Sequence, residues 1–176
     1  MEIRRLLTSD LDAVLALNND NVPGVSELDK AELARLTAMT SASSVVELDG
    51  VFAGFYMVMP AGVEYDSLNY TWFSRHASEL GYDAFAYLDR IAVAPDARRQ
   101  GVGRSLYAHL IDKLVGSVPV LFCEVNLQPR NDRSLAFHAA IGFREVGQQD
   151  SDCGRKRVSL LALDLNPKRS DQNISR

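Results

Sequence analysis

Cysteine, histidine and long apolar runs are scarce in this 176-residue chain, and each scarcity removes a class of protein. The only cysteines are Cys123 and Cys153. Two that far apart build no disulfide framework, and neither has a second cysteine or a histidine at ligand spacing, so no metal is expected and both thiols should be reduced. No stretch approaches the ~20 apolar residues that cross a bilayer, so no membrane partner is expected. The opening Met1-Glu2-Ile3-Arg4-Arg5 leads into polar Thr8-Ser9-Asp10 rather than the apolar core of a secretion signal, which makes a cytoplasmic location the expectation. Basic excess is missing too. Nineteen Lys and Arg stand against 23 Asp and Glu, a net charge of −4. Residues 166–176 carry Lys168, Arg169 and Arg176 against Asp171, so the rest of the chain is more acidic still. A broad nucleic-acid surface needs a net basic face to displace counterions from phosphates, so no nucleic-acid partner is expected. A small basic pocket remains open.

What is present suffices for one self-contained core. At this length, with 47% hydrophobic residues, folding buries about two-thirds of the unfolded surface. One domain over residues 1–165 is expected, followed by a polar tail over 166–176 that reads as disordered. Ile3 to Leu6 suits a short strand. Thr8, Ser9 or Asp10 then caps a helix with Leu11, Val14, Leu15 and Leu17 at helical spacing. Ser26 reads as the N-cap of a second helix carrying Leu28, Ala31, Leu33, Leu36 and Met39. Asp49-Gly50 between two β-rich runs is a strong hairpin signal, pairing residues 45–48 with 51–59. Pro60 to Phe85 shows no clear period but gathers Tyr65, Tyr70, Trp72, Phe73, His76 and Tyr82, which suits a packed cover as well as an acceptor lid. Tyr87 to Val93 is strand-like, Ser105 to Val115 an amphipathic helix and Val118 to Val125 a strand, so a parallel pair is expected. Asn131 or Asp132 caps a helix to Ala140. Strands near 144–148 and 157–165 close the domain.

Between strand and helix lies Arg98-Arg99-Gln100-Gly101-Val102-Gly103-Arg104. Glycines permit tight backbone geometry, amides at a helix start have no intrahelical partner, and the helix dipole favours negative charge there. With Arg98, Arg99 and Arg104 nearby, the segment suits a diphosphate. A P-loop reading fails because no Lys follows either glycine, and a dinucleotide fingerprint fails because Leu106 stands where its third glycine belongs.

These residues resemble the pyrophosphate loop of the GNAT acetyltransferase superfamily, Arg/Gln-x-x-Gly-x-Gly/Ala, with Arg98, Gly101 and Gly103 in register after Ile91-Ala92-Val93 and Pro95. Downstream, Asn131 to Phe143 is similar to the family segment Asn-x-x-Ala-x-x-Leu-Tyr-x-x-x-Gly-Phe. The resemblance covers nearly the whole chain, with residues 60–85 a poorly matched insertion. It implies an α/β fold with a mixed central sheet of about six to seven strands flanked by helices, whose parallel central pair forms the CoA cleft. It implies acetyl-CoA as donor, with Ile91, Ala92 and Val93 along the pantetheine arm and the segment from Arg98 to Ser105 at the diphosphate. It places Asn131, Ser134, Phe137 and His138 on the opposite wall, with Ser134 where the family usually has Ala.

Acetyl transfer to an amine requires a neutral amine, a polarised carbonyl and a proton for the thiolate. The resemblance offers Glu124 as general base, against the alternative of a strand glutamate that faces solvent or pairs with an arginine, with Asp89 and Tyr87, two residues apart on one strand face, as competing bases. His138 stands where the family commonly has a tyrosine that protonates the thiolate. An imidazole with its ordinary pKa of ~6.5 can do so near neutrality, or can merely pack in the helix. Cys123, inside an apolar strand, is expected to be core. Cys153 lies beside Arg155 and Lys156 without an evident base.

The expectation is therefore an N-acetyltransferase acting on a small-molecule or peptide primary amine by direct attack in a ternary complex, with room for a homodimer. The rival is a non-catalytic acyl-CoA-binding or sensing domain, supported by His138 in place of tyrosine.

Overall fold

The computed structural model describes residues 1–22, 24–151 and 154–166. The polar tail expected over residues 166–176 therefore lies, apart from residue 166, outside the described residues, and so does Cys153. Two compact units result, one of Met1–Val63 with Leu88–Asp112, the other of Glu64–Tyr87 with Lys113–Arg176.

In the first unit, strand β1 (Glu2–Arg5) precedes a 3-10 turn (Thr8–Asp10) and helix α1 (Leu11–Asn19). Asp10 does not cap α1 with its side chain. Its carboxylate instead binds Arg4 at 2.7 Å and accepts from the Leu7 N–H at 2.8 Å. Helix α2 (Lys30–Met39) starts later than its apolar spacing predicts, because Asp29 supplies the cap by accepting from the Glu32 N–H at 2.8 Å. Ser26 is engaged elsewhere. β2 (Ala42–Leu48) and β3 (Val51–Pro60) form the expected hairpin, with Asp49 and Gly50 at φ 53° and 79°, the left-handed pair a two-residue turn requires. β4 (Ala86–Val93) begins in the second unit and ends in the first, where it leads to α4 (Val102–Leu114). β3 packs closely here: a Cβ on Gly54 would lie 2.6 Å from the Ala92 carbonyl oxygen.

The second unit holds a helix that hydrophobic periodicity failed to reveal. α3 (Leu68–His76) occupies the supposedly irregular segment, capped by the Ser67 hydroxyl, which accepts from the Tyr70 N–H at 3.3 Å. Its buried face is Tyr70, Phe73 and Ala77, at i, i+3 and i+7. Phe73 stacks on Phe122 at 4.4 Å, and Tyr82 and Phe85 approach the same ring at 5.7 and 5.4 Å. Such pairs contribute roughly 0.5–1.5 kcal/mol each beyond their area. The segment is thus a packed cover in which most of the aromatics are core. β5 (Val120–Gln128), α5 (Asp132–Ala140), β6 (Arg144–Ser151) and β7 (Lys156–Asp164) complete the chain. Trp72 of α3 fills the room beside β6 that a Cβ at Gly147 would need, its ring lying 2.7 Å from that position.

The strands form one seven-stranded mixed sheet in the order β1-β2-β3-β4-β5-β7-β6. β4 and β5 are parallel, with Ala86 opposite Leu121 and Tyr87 opposite Phe122. The expected α/β architecture and its parallel pair are both present.

Candidate active site

After β4 the chain turns through a 3-10 helix (Pro95–Ala97), begun by a proline whose missing N–H costs nothing at that position. Arg99 and Gly101 then take φ 64° and 83°, so two left-handed residues within three positions fold the loop tightly before α4. Any side chain at 101 would be strained there. The Ser105 N–H reaches the Gly101 carbonyl at 3.0 Å. The amides of residues 102–104 precede that first helical bond and are therefore the ones an anion can use. Val102, Leu106 and Leu110 are buried and anchor α4, while Arg98, Arg99, Gln100 and Arg104 are exposed and Gly103 and Ser105 half-buried. Gln100 donates to the Asp96 carbonyl at 2.7 Å. Arg98 donates from Nε to the Val93 carbonyl at 3.4 Å and from Nη2 to Asn21 Oδ1 at 3.0 Å. Along β4, Ile91 and Val93 are half-buried and Ala92 is buried. A left-handed turn, first-turn amides and three arginines are a donor set that fits a diphosphate.

The three β-strand candidates divide into two environments. Tyr87 is buried, and its hydroxyl donates to Glu124 Oε2 at 2.8 Å. The phenol is fixed by the edge of Tyr70 at 5.6 Å and by Phe73 at 5.8 Å. Glu124 is half-buried on β5, two residues beyond Phe122, the parallel partner of Tyr87. The structure thus brings these two candidates together in one hydrogen bond. Asp89 instead pairs with Arg90, Oδ2 to Nε at 3.0 Å, with both side chains nearly inaccessible.

On α5, the Asn131 side chain caps the helix by accepting from the Ser134 N–H at 3.1 Å. Phe137 is half-buried and meets the His138 ring edge-on at 5.7 Å. His138 is buried, also packed against Phe143 at 5.2 Å, and its Nδ1 lies 2.7 Å from the Ser134 carbonyl oxygen. Because a carbonyl only accepts, Nδ1 carries the proton. A neutral ring then leaves Nε2 without one. Burial pushes the imidazole below its ordinary pKa, the Ser134 carbonyl opposing only in part. This geometry runs against the expected role of His138 as proton donor, since the form that donates from Nε2 is the charged form that burial disfavours.

Cys123 is buried and its thiol is raised well above the ordinary range, chiefly by burial, so it behaves as core. Among the described residues no cluster of three His, Cys, Asp or Glu is placed to hold a metal ion, and no helix is long and apolar enough to cross a membrane. Sequence reasoning missed Arg90. Its only signal was a charged pair, Asp89-Arg90, inside an otherwise apolar strand.

A family model described as the Acetyltransferase (GNAT) family matches residues 11–143. The "[Ribosomal protein bS18]-alanine N-acetyltransferase" of Escherichia coli (strain K12) is 36% identical over 86 residues, covering 46% of this chain and 57% of that protein. Thus the match spans little more than half the length of that relative. The "Peptidyl-lysine N-acetyltransferase YjaB" of the same strain is 32% identical over 77 residues, covering 44% and 48%. The crystal structure of the ribosomal-protein-S18-alanine N-acetyltransferase from Escherichia coli superposes with a TM-score of 0.70 at 25% identity, covering 94% of both chains.

Proposed function

Because this chain belongs to the acetyltransferase (GNAT) family, we propose that it is an N-acetyltransferase that moves an acetyl group from acetyl-CoA to a primary amine of a protein or peptide. The observation that carries the catalytic part is the 2.8 Å hydrogen bond from Tyr87 to Glu124. It holds a half-buried carboxylate in one orientation, as a base that must meet an incoming amine requires. The loop from Arg98 to Ser105 supports donor binding, its amides and arginines taking the diphosphate, with Ile91, Ala92 and Val93 along the pantetheine arm. Asn131, Ser134, Phe137 and His138 belong to the wall formed by α5.

In this reading Glu124 takes the proton of the amine as its nitrogen attacks the thioester carbonyl. The carbon–sulfur bond breaks, and the thiolate leaves to be protonated by water. His138 packs α5, its Nδ1 donating to the Ser134 carbonyl, and does not protonate the thiolate. No acyl-enzyme forms, since Cys123 is buried and its thiolate disfavoured. The names of the relatives support a protein amine, an N-terminal alanine or a lysine, as acceptor.

Incubation with acetyl-CoA and a panel of an alanine-terminated peptide, an acetylated-N-terminus lysine peptide and a small diamine tests this through release of free thiol. Amine-dependent release is expected, with a peptide preferred. Tight acetyl-CoA binding by calorimetry without release for any amine would instead support the non-catalytic binding domain.

A further inference from the structure

Arg90 is a buried cation without a part in the proposed chemistry, and its partners lie in one place. Nη1 donates to Asn18 Oδ1 at 3.0 Å and to the Ser26 carbonyl at 2.9 Å, while Nη2 donates to Ser26 Oγ at 2.8 Å. Asp89 Oδ2 lies 3.0 Å from Nε as an ion pair without hydrogen-bond geometry, so the two terminal nitrogens carry the guanidinium's hydrogen bonds. Asn18 is fully buried, and its Nδ2 donates to the same Ser26 carbonyl at 3.0 Å. Asn19 then binds both backbone groups of Leu28, at 2.9 and 3.0 Å. Arg90 therefore fixes both ends of the connection between α1 and α2 against β4.

Near the start of that connection stands Asn21. Its N–H reaches the Asn18 carbonyl at 3.0 Å, and its own carbonyl accepts from Gly24 and Val25 at 2.7 and 3.3 Å, so its backbone is tied into the turn that Arg90 holds. Its amide nitrogen donates to the Leu17 carbonyl at 2.7 Å, which aims Oδ1 outward at Arg98 Nη2, 3.0 Å away. The chain of contacts thus runs from a buried strand arginine to an exposed loop arginine.

We propose that Arg90 is a positioning residue for the donor loop: by fixing the α1–α2 connection it places Asn21, and Asn21 holds the Arg98 guanidinium where the diphosphate binds. This rests on the reading of that loop as the acetyl-CoA seat. It gives Ser26 and Asp89 one shared role. Ser26 is a ligand of Arg90 rather than a helix cap, and Asp89 is its counter-ion rather than a base.

A double-mutant cycle on acetyl-CoA affinity, measured by calorimetry with melting temperature in parallel, tests it. Arg90→Met would strand the buried Asp89 carboxylate and confound folding with binding, so the test uses Ser26→Ala and Asn21→Ala, each deleting a single polar group. Each is expected to weaken acetyl-CoA binding by about fivefold, the size of one lost hydrogen bond, and to have no effect when Arg98 is already Ala. Ser26→Thr, which keeps the hydroxyl, should restore affinity. If Ser26→Ala and Asn21→Ala lower only the melting temperature and leave affinity unchanged, the network is structural and the proposal is overturned. If Arg98→Ala itself leaves affinity unchanged, the donor-seat role of Arg98 fails instead, an outcome separable from the first.

Discussion

Asp89 and Glu124 look alike in the sequence, each a carboxylate on one of two neighbouring parallel strands, yet their surroundings are opposite. Asp89 lies 3.0 Å from the guanidinium of Arg90, in a pair that is almost wholly buried. Glu124 is half-buried and accepts a hydrogen bond, 2.8 Å long, from the Tyr87 hydroxyl. Asp89 faces a buried guanidinium that is itself bonded to Asn18 and Ser26. A hydroxyl donor orients the Glu124 carboxylate without setting a full positive charge against it. Residue type and strand position nominate both groups, and only the neighbour distinguishes them.

The two carboxylates should therefore fail in different ways. Glu124→Gln is expected to lower kcat by roughly 10²–10⁴-fold, the usual size of general-base catalysis, with acetyl-CoA affinity unchanged. Asp89→Asn should leave the shape of the pH–rate profile intact but lower stability by about 3 kcal/mol, since it strands a buried cation; urea denaturation measures this. Equal activity loss in both variants would erase the contrast. Tyr87→Phe should slow turnover by about tenfold, the worth of one hydrogen bond to a charged group, and steady-state kinetics with saturating donor will show it. The smallest effect is expected at His138. His138→Phe should retain near-normal kcat with no basic limb removed from the profile. Stability carries the histidine's signature instead. Its folded pKa is depressed, so its contribution is complete above the ordinary value of 6.5 and is lost as pH falls through the folded value. Melting curves from pH 7 to pH 5 should show wild type losing this contribution while His138→Phe does not.

Much of the fold was legible because its signals are local. Asp49-Gly50 announces a hairpin by turn chemistry alone, and the left-handed turn at Arg99 and Gly101 follows a glycine-rich sequence. Helix α3 was not legible, since its buried face of Tyr70, Phe73 and Ala77 is aromatic and sparse, and Leu68 and Trp72 blur the period by lying off it. Its one overlooked signal was Ser67, a good N-cap three residues before Tyr70. Ser26 was misread for the converse reason: a serine before an apolar run has the look of a cap, while its true partner, Arg90, lies 64 residues away in the chain. The site divides in the same manner. Glu124 and Tyr87 could be nominated one by one, but their hydrogen bond and the Asp89–Arg90 pair depend on pairing across the chain, which no local pattern contains. The protonation of His138 likewise depends on burial and on the Ser134 carbonyl.

The most direct test of the account compares wild type and Glu124→Gln from pH 6 to pH 10, following thiol release with an alanine-terminated peptide and acetyl-CoA binding in the same samples. The account predicts equal donor affinity throughout and a rate deficit of at least about 10² at pH 7 that narrows as the amine itself loses its proton. Full activity of Glu124→Gln at pH 7, with donor affinity intact, would contradict it and place the base elsewhere.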